Sequence, residues 1–112
     1  AALPALKASR GQIVATSSFT GKIGTPVSST YSATKHALQG YFGALRGEVP
    51  EVDITIVCPG PVASEIAMAA GSQEDNSNKM PAARAARLMH TAMHLRLYET
   101  WISPHPPLLF LY

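Results

Sequence analysis

The chain has 112 residues, 46% apolar and 14% charged, with a net charge of +2 and one cysteine. That is enough for one domain with its own core, 1–112, and it argues against a disordered chain. Lys and Arg are scattered, so the basic cluster of a nucleic-acid binder is absent. Cys58 alone excludes an internal disulfide, and no apolar run approaches the ~18 residues that span a bilayer.

In chain order, "AALPALKASRG" reads as the tail of a helix followed by a glycine stop. "QIVATSS" (12–18) is a short β-branched run after that glycine, hence a buried strand. "FTGKIGTPVSS" (19–29) carries two glycines and a proline and reads as a loop. A helix is predicted from Ser29 or Thr30 to Arg46, with Ala33, Ala37, Leu38, Tyr41, Ala44 and Leu45 as its buried stripe. Gly40 and Gly43 inside it imply either close packing or tolerance, and Gly47 and Pro50 are expected to end it. "VDITIVCPG" (52–60) is apolar on both faces, the pattern of a central strand in a parallel sheet.

Residues 61–79 begin as a short helix and turn polar. "MPAARAARLMHTAMHLRL" (80–97) is an amphipathic helix with Ala85, Leu88, Met89, Ala92 and Leu95 on its apolar face. "YETWIS" (98–103) is a third strand. Strand, helix, strand, helix, strand gives right-handed βαβ units and the α/β class. The chain does not begin with Met and ends in apolar "PPLLFLY", which reads as a fragment of a larger protein. That last run suits a membrane-contacting or substrate-covering segment, or a strand cut short. His36, His90, His94 and His105 lack acidic partners at ligand spacing, so no metal site is expected.

Polar groups collect at the strand ends. Ser17-Ser18 closes the first strand and Cys58-Pro59-Gly60 the second, where ligands of open α/β sheets bind. Tyr31 and Lys35, four residues apart, share a helix face between them. A nearby ammonium favours a phenolate over a phenol, which makes tyrosine usable as a general acid or base. A serine hydroxyl can hold a substrate oxygen. Such a set suits carbonyl–alcohol interconversion, with the hydride coming from a cofactor. Ser17 is expected to be only a strand-end hydrogen-bonder, and Cys58 a small buried hydrophobe.

"GQIVATSSFTG", "YSATKHALQGYFGALRGE" and "IVCPGPVAS" resemble the catalytic half of a short-chain dehydrogenase/reductase. The resemblance covers nearly the whole chain and implies a partial Rossmann-like, doubly wound parallel sheet. It implies Tyr31 as proton donor or acceptor. Lys35 would tune that tyrosine and hold the nicotinamide ribose, and Ser18 would be the catalytic serine. It implies cofactor contacts at Tyr31, Lys35, Pro59, Gly60, Val62 and Ser64, the last standing where threonine is common. Residues 65–80 fall on the substrate loop.

"NKMPAARAARLMHTAM" and "WISPHPPLLF" are further similar to a subgroup associated with the endoplasmic reticulum membrane, otherwise cytoplasmic in setting. That subgroup implies NADP(H) over NAD(H) and a small apolar carbonyl or alcohol substrate such as a steroid or retinoid. Family members commonly pair into dimers or tetramers through the helices at 30–46 and 81–97. The family's Gly-rich turn and relay asparagine are absent from these 112 residues. A second expectation follows: a non-catalytic product that keeps only subunit-interaction surfaces.

Overall fold

The computed structural model describes residues 1–63 and 79–103. Three parallel strands form its sheet: β1 (Gln12–Thr16), β2 (Asp53–Pro59) and β5 (Glu99–Ile102), in the order β1-β2-β5. β1 sets Gln12 beside Asp53 and Thr16 beside Val57, and β5 sets Glu99 beside Ile56 and Ile102 beside Pro59. β2 is central, and Ile54 through Cys58 are all buried. A strand covered on both faces has no solvent side on which to place polar residues, so its buried run is apolar but for Thr55, whose hydroxyl is hydrogen-bonded by Gln12.

Helices cover the two faces. α1 (Leu3–Ser9) and α2 (Ser29–Glu48) lie on the face formed by Ala15, Ile54, Ile56 and Cys58, where Leu3, Leu6, Phe42 and Leu45 pack. α3 (Ala82–His94) lies on the other, where Ala85 and Met89 meet Ile102 and Met80. Gln12 ties α3 to the sheet by donating to Thr55 Oγ1 and the Met93 carbonyl, both at 3.0 Å. A two-residue parallel pair, β3 (Val62–Ala63) with β4 (Met80–Pro81), sits beyond the end of β2.

The strands expected at 12–18, 52–60 and 98–103 and the helices expected before Gly11, at 29–46 and at 80–97 are present with shifted boundaries, whereas the segment expected to open a short helix after Gly60 begins as the strand Val62–Ala63 and then lies outside the described residues. α1 ends on Arg10, in the left-handed region at φ 49°, rather than on Gly11. Gly11 follows it closely packed: a Cβ there would stand 2.7 Å from Leu6 Cδ2, a side-chain end that can shift. α2 runs through Gly47 to Glu48, and Val49 N–H closes it on the Leu45 carbonyl. Gly40 and Gly43 face open space, so they are tolerated rather than required.

The buried stripe of α2 is a correction. Ala33, Ala37, Tyr41 and Ala44 are exposed, and the sheet is met by Leu38, Gln39, Phe42, Leu45 and Arg46. Alanine-rich helices carry apolar residues on more than one face, so the apolar count chose the wrong one. Gln39 and Arg46 occupy sheet-facing positions because their polar ends have partners there. Arg46 Nη2 donates to the carbonyls of Ile54 (2.6 Å) and Tyr98 (2.9 Å), and its guanidinium stacks 3.5 Å from the Tyr98 ring. On α3, Ala85 and Ala92 are buried and Met89 half-buried as expected, whereas Leu88 and Leu95 are exposed.

Between β1 and α2, Phe19–Gly21 forms a 3₁₀ turn inside the expected loop. Val27 then takes φ 64° at full exposure. A β-branched residue there costs on the order of 1–2 kcal/mol, a price set by the sharp entry into α2.

Ile56 is 2% exposed at the centre of the larger core cluster, contacted from β1, α2 and β5. Ile56→Ala is expected to lower the unfolding free energy by about 3 kcal/mol in urea titration, from lost burial plus a residual cavity.

Candidate active site

All three strands of the sheet end on one edge, and the ladder continues there by single bonds. Ser17 N–H donates to Val57 O and Gly60 N–H to Ile102 O, each at 2.8 Å. Ser17-Ser18, Pro59-Gly60 and Ser103 are thereby brought level.

Ser18 is 4% exposed and caps the 3₁₀ turn. Its Oγ accepts from Thr20 N–H at 3.2 Å and from Thr20 Oγ1 at 3.0 Å, and donates to the Pro59 carbonyl at 3.5 Å. Lys35 lies two turns into α2, and its Nζ donates to the Thr16 carbonyl at 3.0 Å. The same Nζ stands 5.5 Å from the centre of the Tyr31 ring, as the four-residue spacing requires. Tyr31 is 49% exposed, open to a ligand. The structure thus joins Ser18 to Pro59 and Lys35 to Tyr31. No direct hydrogen bond links Ser18 to Tyr31. Val62 is half-buried in β3, just past Gly60. Ser64 lies outside the described residues.

Beneath these groups runs a second network. Gln39 Nε2 donates to Ser17 Oγ (3.2 Å) and to Cys58 Sγ (3.1 Å), and Ser17 Oγ donates to the Lys35 carbonyl (3.3 Å). Ser17 is therefore spent on structure. Gly21 closes the junction: a Cβ there would stand 2.6 Å from Ser17 Oγ and 2.9 Å from the Lys35 carbonyl. Gln39 and Thr20 were missed by sequence reasoning. Their signals are spacing: Gln39 is four residues after Lys35 on one helix face, and Thr20 two after Ser18, the reach of a serine cap.

Among the described residues no group of three or more His, Cys, Asp or Glu could hold a metal, and no helix is long and apolar enough to cross a membrane.

The family model for short chain dehydrogenases matches residues 1–75. The chain belongs to the short-chain dehydrogenase family. It is 40% identical over 115 residues to human dehydrogenase/reductase SDR family member 7, covering 92% of this chain and 34% of that protein. The mouse protein of the same name is 42% identical over the same coverage. The chain thus spans about a third of the length of these curated relatives. In structure it is similar to a short-chain dehydrogenase from Sphingobium yanoikuyae in complex with NADPH. The identity is 25% and the TM-score 0.78, over 94% of this chain and 41% of that one. The parallel sheet with helices on both faces is accordingly a partial Rossmann-like α/β fold.

The donor set of this short-chain dehydrogenase suits the nicotinamide-ribose end of a dinucleotide. An ammonium has three N–H donors, and Lys35 spends one on Thr16. The remaining donors match the paired hydroxyls of a ribose.

Burial pushes the Cys58 thiol above its ordinary value of 9.0, against the lowering effect of the Gln39 hydrogen bond. The unfolded chain then gives up that proton at lower pH than the folded one. Between the two values the unfolded state binds fewer protons, so stability falls as pH rises. Urea unfolding from about pH 8 to about pH 10 is expected to show this loss, with a shallower slope in Cys58→Ala.

Proposed function

We propose that this chain supplies the catalytic part of an oxidoreductase that interconverts a carbonyl and a secondary alcohol with NADP(H), favoured over NAD(H). The observation that carries the reading is the placement of Lys35 between the Thr16 carbonyl and the Tyr31 ring, at the strand-end edge that also bears Ser18. Family membership supports the reaction class. Similarity to NADP(H)-bound structures and the subgroup resemblance support the cofactor.

Each residue has a role that its surroundings permit. In reduction, the substrate carbonyl oxygen takes a hydrogen bond from Ser18 in place of the 3.5 Å bond to Pro59. The Tyr31 hydroxyl gives its proton to that oxygen, and the Lys35 ammonium stabilises the phenolate left behind. A nicotinamide bound beside these residues would supply the hydride chemistry that accompanies this proton transfer. Pro59, Gly60, Val62 and Ser64 would flank the nicotinamide. The substrate is an apolar carbonyl or alcohol of steroid, retinoid or similar kind. The endoplasmic reticulum membrane is the setting, on the subgroup resemblance.

The exposed face of α2, with Ala33, Ala37, Tyr41 and Ala44, favours pairing between copies through the 30–46 helix. The 81–97 helix adds exposed Leu88 and Leu95. The same faces favour a second reading, a non-catalytic chain that keeps only these interaction surfaces.

Tyr31→Phe separates the two readings. It is made in the longest native polypeptide that carries this sequence and assayed with NADPH against a panel of steroid ketones, retinal and aromatic ketones. The variant is expected to lose turnover by roughly 10²–10⁴-fold, the usual worth of a positioned proton donor. NADPH binding by calorimetry is expected to persist. Turnover that survives the substitution overturns the catalytic reading, and a parent protein that neither binds NADPH nor turns over favours the second.

A further inference from the structure

We infer that Thr20 is a positioning residue that fixes the Ser18 hydroxyl as a donor only, and so leaves the proton exchange to Tyr31. The inference deepens the catalytic reading above and rests on it. A serine hydroxyl has two lone pairs and one proton. At Ser18 both lone pairs are filled from one residue: the Thr20 N–H at 3.2 Å and the Thr20 hydroxyl at 3.0 Å. Ser18 and Thr20 are 4% and 5% exposed, so water does not compete for these bonds. The Ser18 proton is left with one direction, outward along the Pro59 carbonyl, and that bond is at the long limit.

The consequence is a division of labour. A serine with a free lone pair could accept a hydrogen bond from the substrate alcohol, pass its own proton on, or turn away from a carbonyl. Ser18, with both acceptor sites filled, can only offer its proton to the substrate oxygen. It cannot serve as the base when an alcohol is oxidised, so that proton passes to Tyr31. Substrate binding then exchanges one weak acceptor, the Pro59 carbonyl, for a better one without reorienting the hydroxyl. Preorganised donors of this kind need no rearrangement at the moment of reaction.

The backbone N–H of residue 20 caps Ser18 whatever the side chain, so the cap survives substitution and the hydroxyl can be tested by itself. Thr20→Val keeps the shape and removes the donor, and Thr20→Ser keeps the donor and removes a methyl. In the same native polypeptide, with NADPH and the best-reduced carbonyl of the panel, Thr20→Val is expected to lower kcat about tenfold with KM within about twofold. Thr20→Ser is expected to restore kcat to within about threefold of the parent. A structural role for the methyl would reverse that order, with Ser the worse variant. Retained kcat in Thr20→Val, or loss without rescue by Ser, overturns the inference.

A second measurement does not depend on turnover. The couplings between the Ser18 hydroxyl proton and its Hβ atoms, read by NMR, are expected to report one hydroxyl direction in the parent and in Thr20→Ser, and an averaged one in Thr20→Val, with the backbone cap kept in all three. A single direction in all three overturns the inference. Turnover that persists in Tyr31→Phe instead removes the catalytic reading, and the couplings still decide whether Thr20 fixes Ser18.

Discussion

The seating of α2 against the strand ends is the constraint on which the site depends, and it is set by one side-chain amide. Gln39 reaches both Ser17 at the end of β1 and Cys58 near the end of β2. Ser17 passes the connection back to the Lys35 carbonyl, one turn earlier in the same helix. Two strands and a helix are thereby locked at a single buried point. Hydrogen bonds in such a place are individually worth on the order of 1 kcal/mol, yet leaving one of these groups unpaired costs more. The network therefore acts as a register pin: sliding α2 by one residue would orphan three polar groups at once. Gly21 reinforces it, since any side chain there would displace the Ser17 hydroxyl or the Lys35 carbonyl.

With α2 pinned, the functional groups follow from helix geometry. Lys35 is carried to the Thr16 carbonyl, and Tyr31 stands one turn nearer the open edge of the sheet. A half-exposed phenol beside a fixed ammonium can meet a ligand without giving up its partner. Ser18 is held from the other side, by the turn that follows β1 and not by the helix. Tyr31 and Ser18 are thus mounted on separate elements, with the pinned junction between them. Burial that raises the Cys58 thiol belongs to the same junction, because the packing that buries Ser17 also surrounds the sulfur.

Much of this was legible in the sequence, for reasons that can be named. β2 was readable as a central strand because burial on both faces leaves a run from Ile54 to Cys58 broken only by Thr55, with no alternation of polar and apolar residues. Tyr31 and Lys35 were readable as a pair because a four-residue separation puts side chains on one helical face whatever else surrounds them. The α2 stripe was misread because Ala33, Ala37 and Ala44 look apolar but need not be buried, while Gln39 and Arg46 look polar yet face the sheet. Their partners are the Ser17 hydroxyl, the Cys58 sulfur and the Ile54 and Tyr98 carbonyls, all on other elements. Pattern alone carries no record of a bond made between elements. The left-handed Val27 was invisible for a related reason: the chain's entry into α2 sets that turn against the preference of a β-branched residue.

The exposed face of α2 and the pinned face of the same helix impose different demands on one segment. The inward face must be polar at Lys35 and Gln39, because the strand ends offer carbonyls, a hydroxyl and a thiol rather than methyl groups. The outward face carries Ala33, Ala37, Gly40 and Ala44, all small, around one large exposed side chain, Tyr41. Under the reading proposed above, pairing between copies would use that side and proton exchange the other, so that displacing the helix for one would strain the other through Gln39. The inward face is mixed: Phe42 and Leu45 pack on the sheet, while Lys35, Gln39 and Arg46 turn inward because the strands present groups there for them to hold.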